Sequence, residues 1–141
     1  MEGNVVTFTV PYLIPVSVNH AWEPTMYTGR DGFAHRGRKT SKQVRAFKDA
    51  VAIFARGATV APQDERDRRK ARYGVRIDVY LGPRQRGDFD NFWKVGLDAL
   101  ANCGVIHSDG AVSGQHSRCV VHKEDRQNPR TEYVVTRLES E

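Results

Sequence analysis

The sequence predicts a single α+β domain of order β-α-β-α-β-β, a mixed sheet with helices packed on it. Three observations carry this. Val5 to Val10 and Val75 to Leu81 are rich in β-branched residues and alternate with polar ones. Two other stretches place apolar residues at helical spacing. At 141 residues, 39% of them hydrophobic, the chain can bury one core, so residues 1–141 read as one soluble, globular domain.

The first strand, Val5 to Val10, ends at Pro11 and Pro15. From Val16 to Thr40 no period holds, and Asn19, Pro24, Gly29, Gly32 and Gly37 predict one long loop. Ser41 suits the N-cap of a helix with Val44, Phe47, Val51 and Phe54 on one stripe, stopped by Gly57. Ala58 to Lys70 reads as a polar connector. The strand at Val75 to Leu81 reads as half-buried, with Arg76, Asp78 and Tyr80 facing out, and Gly82-Pro83 breaks it. A second helix should run from about Asp90 to Asn102, with Phe89, Trp93, Leu97 and Leu100 as its apolar stripe. Two strands follow, at about Gln115 to His122 and Glu132 to Leu138, around a loop holding Asn128-Pro129.

Composition narrows the function. The formal net charge is +5, which suits nucleic acid, an anionic surface or solubility alone. One basic cluster, Arg30, Arg36, Arg38, Lys39, Lys42 and Arg45, is opposed only by Asp31 and reads as a flexible phosphate-binding loop. A second, Arg66 to Arg72, is interleaved with acids and reads as a solvated, salt-bridged segment. No run approaches the ~18 apolar residues of a membrane span, and Met1 to Asn4 does not open a signal peptide. No membrane partner is expected, and the cytoplasm is the expected compartment. Cys103 and Cys119 stand outside any CxxC or Cys/His ligand spacing and read as reduced, partly buried thiols.

Against this basic background one stretch is acidic: Gly87-Asp88-Phe89-Asp90-Asn91-Phe92-Trp93-Lys94, then Asp98 and Asp109. Mg²⁺ takes oxygen ligands and keeps several waters, so a few carboxylates and a substrate phosphate can hold it. Asp88 and Asp90, two apart, can point the same way where extended chain enters a helix. Asp90, Lys94 and Asp98 fall at i, i+4 and i+8 on one helical face. A returning loop can bring Asp109 alongside, and Lys94 can reach a phosphate oxygen. Asp also caps helices, Asp90–Lys94 fits a surface ion pair, and Asp109-Gly110 fits an ordinary turn. Residue chemistry alone leaves both readings open.

The stretch Gly87 to Val112, GDFDNFWKVGLDALANCGVIHSDGAV, resembles the signature of the RusA family of Holliday junction resolvases. That signature is an Asp-x-Asp-Asn, a Lys four residues past the second Asp, an Asp-Ala-Leu and a later Asp before a Val. Here these are Asp88, Asp90 and Asn91, then Lys94, Asp98-Ala99-Leu100, and Asp109 with Val112. Ile14 to His20 resembles the family's Pro-Ser-x-Asn segment, and Ser41 to Val51 its first helix. Ser108 departs from the family's paired acids, leaving Asp109 as the aligned ligand. Ile14-Pro15 replaces a proline pair.

The resemblance implies a crossover junction endodeoxyribonuclease, a homodimer that nicks four-way DNA symmetrically in recombination and repair. It implies Mg²⁺, with Mn²⁺ able to substitute, and no other small-molecule cofactor. Asp88, Asp90 and Asp109 map onto the metal ligands and Lys94 onto the catalytic lysine. Asp98 matches a family position and is expected either as a ligand or as a residue supporting one. Arg36, Arg38, Lys39 and Lys42 are the expected DNA-backbone contacts. The family's spread among phages makes a bacterial or phage-infected cell the expected setting. Two rivals remain: a non-catalytic nucleic-acid-binding protein whose acids cap a helix, and a metal-dependent nucleotide phosphohydrolase.

Overall fold

The computed structural model describes residues 4–11, 22–124 and 126–139. The Ile14–His20 segment that resembles the family lies outside them. The chain runs β1 (Val5–Pro11), β2 (Trp22–Thr28), β3 (Ala34–Thr40), α1 (Lys42–Ala55), α2 (Glu65–Lys70), β4 (Arg72–Tyr80) and α3 (Phe89–Asn102). Single 3₁₀ turns at Asp109–Ala111 and Gly114–His116 then lead to β5 (Arg118–His122) and β6 (Arg130–Leu138). The α+β class and the mixed sheet stand as expected.

The main sheet has the order β1-β6-β4-β5, antiparallel except for β4 and β5. Parallel neighbours need a crossover, and α3 supplies it. The helix carrying the acidic signature therefore departs from the carboxyl end of the central strand. The sheet's inner face is built in rungs. Val6, Val135 and Val75 align across three strands, as do Phe8, Tyr133 and Ile77 one rung on. Phe8 and Tyr133 stack with ring centroids 4.9 Å apart. Buried Val44, Phe47 and Val51 of α1 and Phe92, Leu97 and Leu100 of α3 belong to the same core.

Four expectations are corrected. Residues 22–40 are not one loop: β2 and β3 pair antiparallel from Trp22↔Thr40 to Thr28↔Ala34 around a tight turn. Residues 16–21 lie outside the described chain. No apolar alternation marks the strands, because their described side chains stay at least partly exposed on both faces. Within the supposed connector, Glu65–Lys70 is a short helix, capped by an Asp64 carboxylate accepting from Arg66 N–H at 2.7 Å. Acids in its first turn and bases in its last match the helix dipole.

The buried face of α3 is wider than the expected stripe: Leu97 and Leu100 are buried and Trp93 packs partly on the core, but Phe89 does not join them. Phe92, Val95, Gly96, Ala99 and Leu100 face the core at i, i+3, i+4, i+7 and i+8. Phe89 is 60% exposed. The carbonyl of buried Gly96 accepts from the buried Tyr133 hydroxyl at 3.1 Å.

Finally, the outward face of β4 is more covered than alternation predicts: Arg76 and Tyr80 stay partly exposed, but Asp78 is buried. Asp78 is only 7% exposed. Its carboxylate accepts from Arg76 Nε at 2.8 Å and meets His122 Nε2 at 2.8 Å. His122 also meets Glu124 at 3.1 Å and stacks on Tyr80, over which Arg130 lies at 3.7 Å. Burial alone would lower the His122 pKa, but Asp78 and Glu124 outweigh it and raise it. The stabilisation from charged His122 is therefore complete below its unfolded pKa and fades as pH rises through the raised one. His122→Ala should cost about 1–2 kcal/mol near pH 5.5, and clearly less near pH 8.5, in urea unfolding. Equal losses at both pH values would remove the charged-histidine account.

Candidate metal and nuclease site

Asp88 is the N-cap of α3, in extended conformation. Asn91 Oδ1 reaches back to accept from Asp88 N–H at 2.9 Å, the N3 half of a capping box. The asparagine of the Asp-x-Asp-Asn pattern thus has a local structural role, because Asn91 holds the backbone that presents Asp88. Asp90 lies in the first helical turn, where the dipole favours a carboxylate. Both acids are exposed.

The loop delivering them is braced. Gln85 Oε1 accepts from Gly82 N–H at 2.5 Å. The Arg126 guanidinium donates to the carbonyls of Gly82 at 2.9 Å and Gln85 at 3.3 Å. Asp88 also borders a cleft of about 210 Å³ whose lining includes Arg86, Lys123 and Arg126. A cationic cleft beside an acidic helix start suits a phosphodiester approaching a metal.

Further along α3, Lys94 Nζ stands 3.8 Å from Asp98 Oδ2, one turn on. The turn after the helix brings the Asp109 carboxyl near enough to Asp98 to act on its pKa. Ser108 Oγ accepts from Gly110 N–H at 3.1 Å and shapes that turn. Val112 bridges to Tyr73 of β4, and Ser113 N–H donates to the Tyr73 carbonyl at 2.8 Å, fixing the returning segment on the sheet. Burial is the main cause raising the Asp98 pKa; Asp109 adds to it, while Lys94 and Lys48 oppose.

The structure therefore gathers Asp98, Asp109 and Lys94, with Lys48 of α1 near enough to act on Asp98. Asp88 and Asp90 stand at the helix start, Asp90 eight residues or roughly 12 Å along the axis before Asp98. Among the described residues no three His, Cys, Asp or Glu side chains converge on one cation position. The donor chemistry still fits a hard divalent ion: carboxylate oxygens only, largely solvent-facing, with room for retained waters. A crowded carboxyl pair with one raised pKa is also the arrangement a cation relieves.

Lys48 was missed by sequence reasoning. Only its place on the α1 face beside α3 reveals it, and no motif marks it. Of the expected DNA contacts, Arg36 is exposed on β3 and Lys42 is exposed at the start of α1. Arg38 and Lys39 lie on β3, with their side chains outside the described ones. Cys103 and Cys119 are free thiols, partly buried. Burial pushes Cys119 up to about 11, which suits neither a nucleophile nor a metal ligand.

The chain belongs to the RusA endodeoxyribonuclease family, whose model matches residues 22–136. The match takes in the hairpin, both long helices and every acid discussed above. Membership carries Holliday junction resolution, metal-dependent cleavage and a branched DNA substrate at the level of the family. A search among curated proteins finds no match. Among the described residues no helix is long and apolar enough to cross a membrane.

Proposed function

We propose that this chain is a Mg²⁺-dependent, structure-selective endodeoxyribonuclease that resolves four-way junctions by paired nicks, acting as a homodimer. The observation that carries this is the α3 crossover, which presents Asp88, Asp90, Lys94 and Asp98 on a helix joined by Asp109, in a chain of the RusA family. Asp88, Asp90 and Asp109 would hold the metal. Bound there, Mg²⁺ or Mn²⁺ would activate a water and neutralise charge developing on the phosphate.

The chain's own groups supply the rest. Lys94 donates to a phosphate oxygen or orients the attacking water. Asp98, near Asp109 and 3.8 Å from Lys94, orients both. Arg36, Arg38, Lys39 and Lys42 hold the DNA backbone without reading its sequence. Hydrolysis leaves 5′-phosphate and 3′-hydroxyl ends. Two opposed nicks need two centres, which is the physical case for a dimer.

The test incubates purified protein with an end-labelled four-way junction and with linear duplex, with Mg²⁺, with Mn²⁺ and with chelator. Paired, metal-dependent nicks in the junction support the reading. Junction binding with no nicking in either metal returns the chain to a non-catalytic binding role. Turnover of nucleotides with intact DNA favours a phosphohydrolase.

A further inference from the structure

The β2–β3 hairpin carries three of the chain's exposed large apolar side chains: Met26 at 61%, Tyr27 at 54% and Phe33 at 72%. Among the described residues it packs substantially on no other helix or strand. A two-stranded hairpin alone in water is marginal at best. This one is stiffened from within. Tyr27 stacks on His35, centroids 5.4 Å apart, and lies across Gly37, where an added Cβ would come 3.0 Å from the tyrosine ring. At the tip, Gly29 N–H donates to the Phe33 carbonyl at 2.9 Å. Asp31 Oδ1 accepts from Phe33 N–H at 2.9 Å and meets His35 at 3.0 Å. The turn is thus organised around presenting an aromatic ring to solvent.

The chemistry of the arm selects its partner. The paired positions Met26↔Arg36 and Thr28↔Ala34 make one exposed, mixed apolar and cationic face. Arg30 is exposed at the tip, and the segment's Arg and Lys outnumber its acids. Aromatic rings interleaved with cations suit bases and phosphates, since every base has a face to stack on and every nucleotide a charge. The hairpin leads through Ser41 straight into α1, whose Lys48 acts on Asp98, so the arm springs from about 10 Å along the helix from the acidic centre. With strands of seven residues its reach is roughly 20 Å or more.

We propose that the β2–β3 hairpin is a DNA-engaging arm whose tip residue Phe33 stacks on a base exposed at the branch point of the junction. The proposal rests on the resolvase reading and names a residue that confers junction selectivity. Stacking lost with one aromatic ring predicts a fall of about 5- to 150-fold in junction affinity for Phe33→Ala. Affinity for linear duplex, held by phosphate contacts, should stay within about twofold of the unchanged protein.

The test measures binding of the full chain to a four-way junction with 2-aminopurine at the branch, and to linear duplex, in Ca²⁺ at fixed salt. The unchanged protein should change the probe's fluorescence, Phe33→Ala should not, and Phe33→Trp should restore it. Circular dichroism and oligomeric state are compared for all three. A Phe33→Ala protein that binds junction as the unchanged protein does overturns this inference while leaving metal-dependent junction nicking intact. So does an equal loss on duplex, or a loss of self-association, which would make a second copy the hairpin's partner. An unchanged protein that does not distinguish junction from duplex overturns this inference and the resolvase reading together.

Discussion

Asp90→Asn and Asp109→Asn should each reduce metal-dependent nicking of a four-way junction by about 10³-fold or more, with junction binding retained. The amide keeps the size of the carboxylate but removes its charge, so a hard divalent ion loses a ligand it needs. Both acids are exposed, so neither change should disturb the core. Binding could even tighten, because a negative charge beside the phosphate path is gone. Lys94→Ala should cost about 10²–10³-fold by removing one donor to the developing charge. Asp98→Asn should cost less, about 10–100-fold, if Asp98 acts through Asp109 and Lys94. The contrast between Asp98 and Asp109 is decisive because Asp109 is one of the groups acting on the Asp98 carboxyl. A loss at Asp98 equal to that at Asp109 would make Asp98 a ligand. Full cleavage by Asp90→Asn would end the metal role of the helix start.

What was legible in the chain follows from how strongly burial marks a pattern. Val75, Ile77 and Val79 repeat at period two against a packed face, and Val44, Phe47 and Val51 at helical period, so β4 and α1 could be read directly. Ser41 was read correctly as a cap, its hydroxyl accepting from Val44 N–H at 3.3 Å. The hairpin was not legible, because strands wet on both faces carry no alternation. Of the α3 stripe, Leu97, Leu100 and partly Trp93 pack as read, while Phe89 at the helix start is exposed and Phe92 and Val95, with the small Gly96 and Ala99, complete the contact face. Asp78 looked outward by alternation alone, since its burial depends on β5 adding beside β4 and on His122 closing over it. At the site, helical spacing correctly brought Lys94 to Asp98. No local pattern could say which acid Asp109 would meet, because that depends on where Val112 and Ser113 anchor to β4.

Gly87→Ala should couple a loss of stability to a loss of cleavage, although it removes no chemical group. Gly87 has φ of +145°, a conformation L residues rarely adopt, and an added Cβ would lie 2.6 Å from Cζ of Phe92. That ring is 2% exposed in the core and cannot swing aside without opening a void. Backbone strain alone is worth about 1–3 kcal/mol, so Tm should fall by several degrees or more. Relief has to come from the backbone, and the next residue is Asp88, held through its N–H on Asn91. A displacement of about 1 Å there can cost about 10²-fold in rate. Combining Gly87→Ala with Phe92→Leu relieves the collision but not the φ strain, so part of the Tm and part of the activity should return together. Arg126→Ala loosens the same loop from the outer side and should slow nicking with a smaller change in Tm, since its contacts to the Gly82 and Gln85 carbonyls are only partly buried. A Gly87→Ala protein with unchanged Tm and unchanged nicking would show that the loop before α3 does not set the position of Asp88.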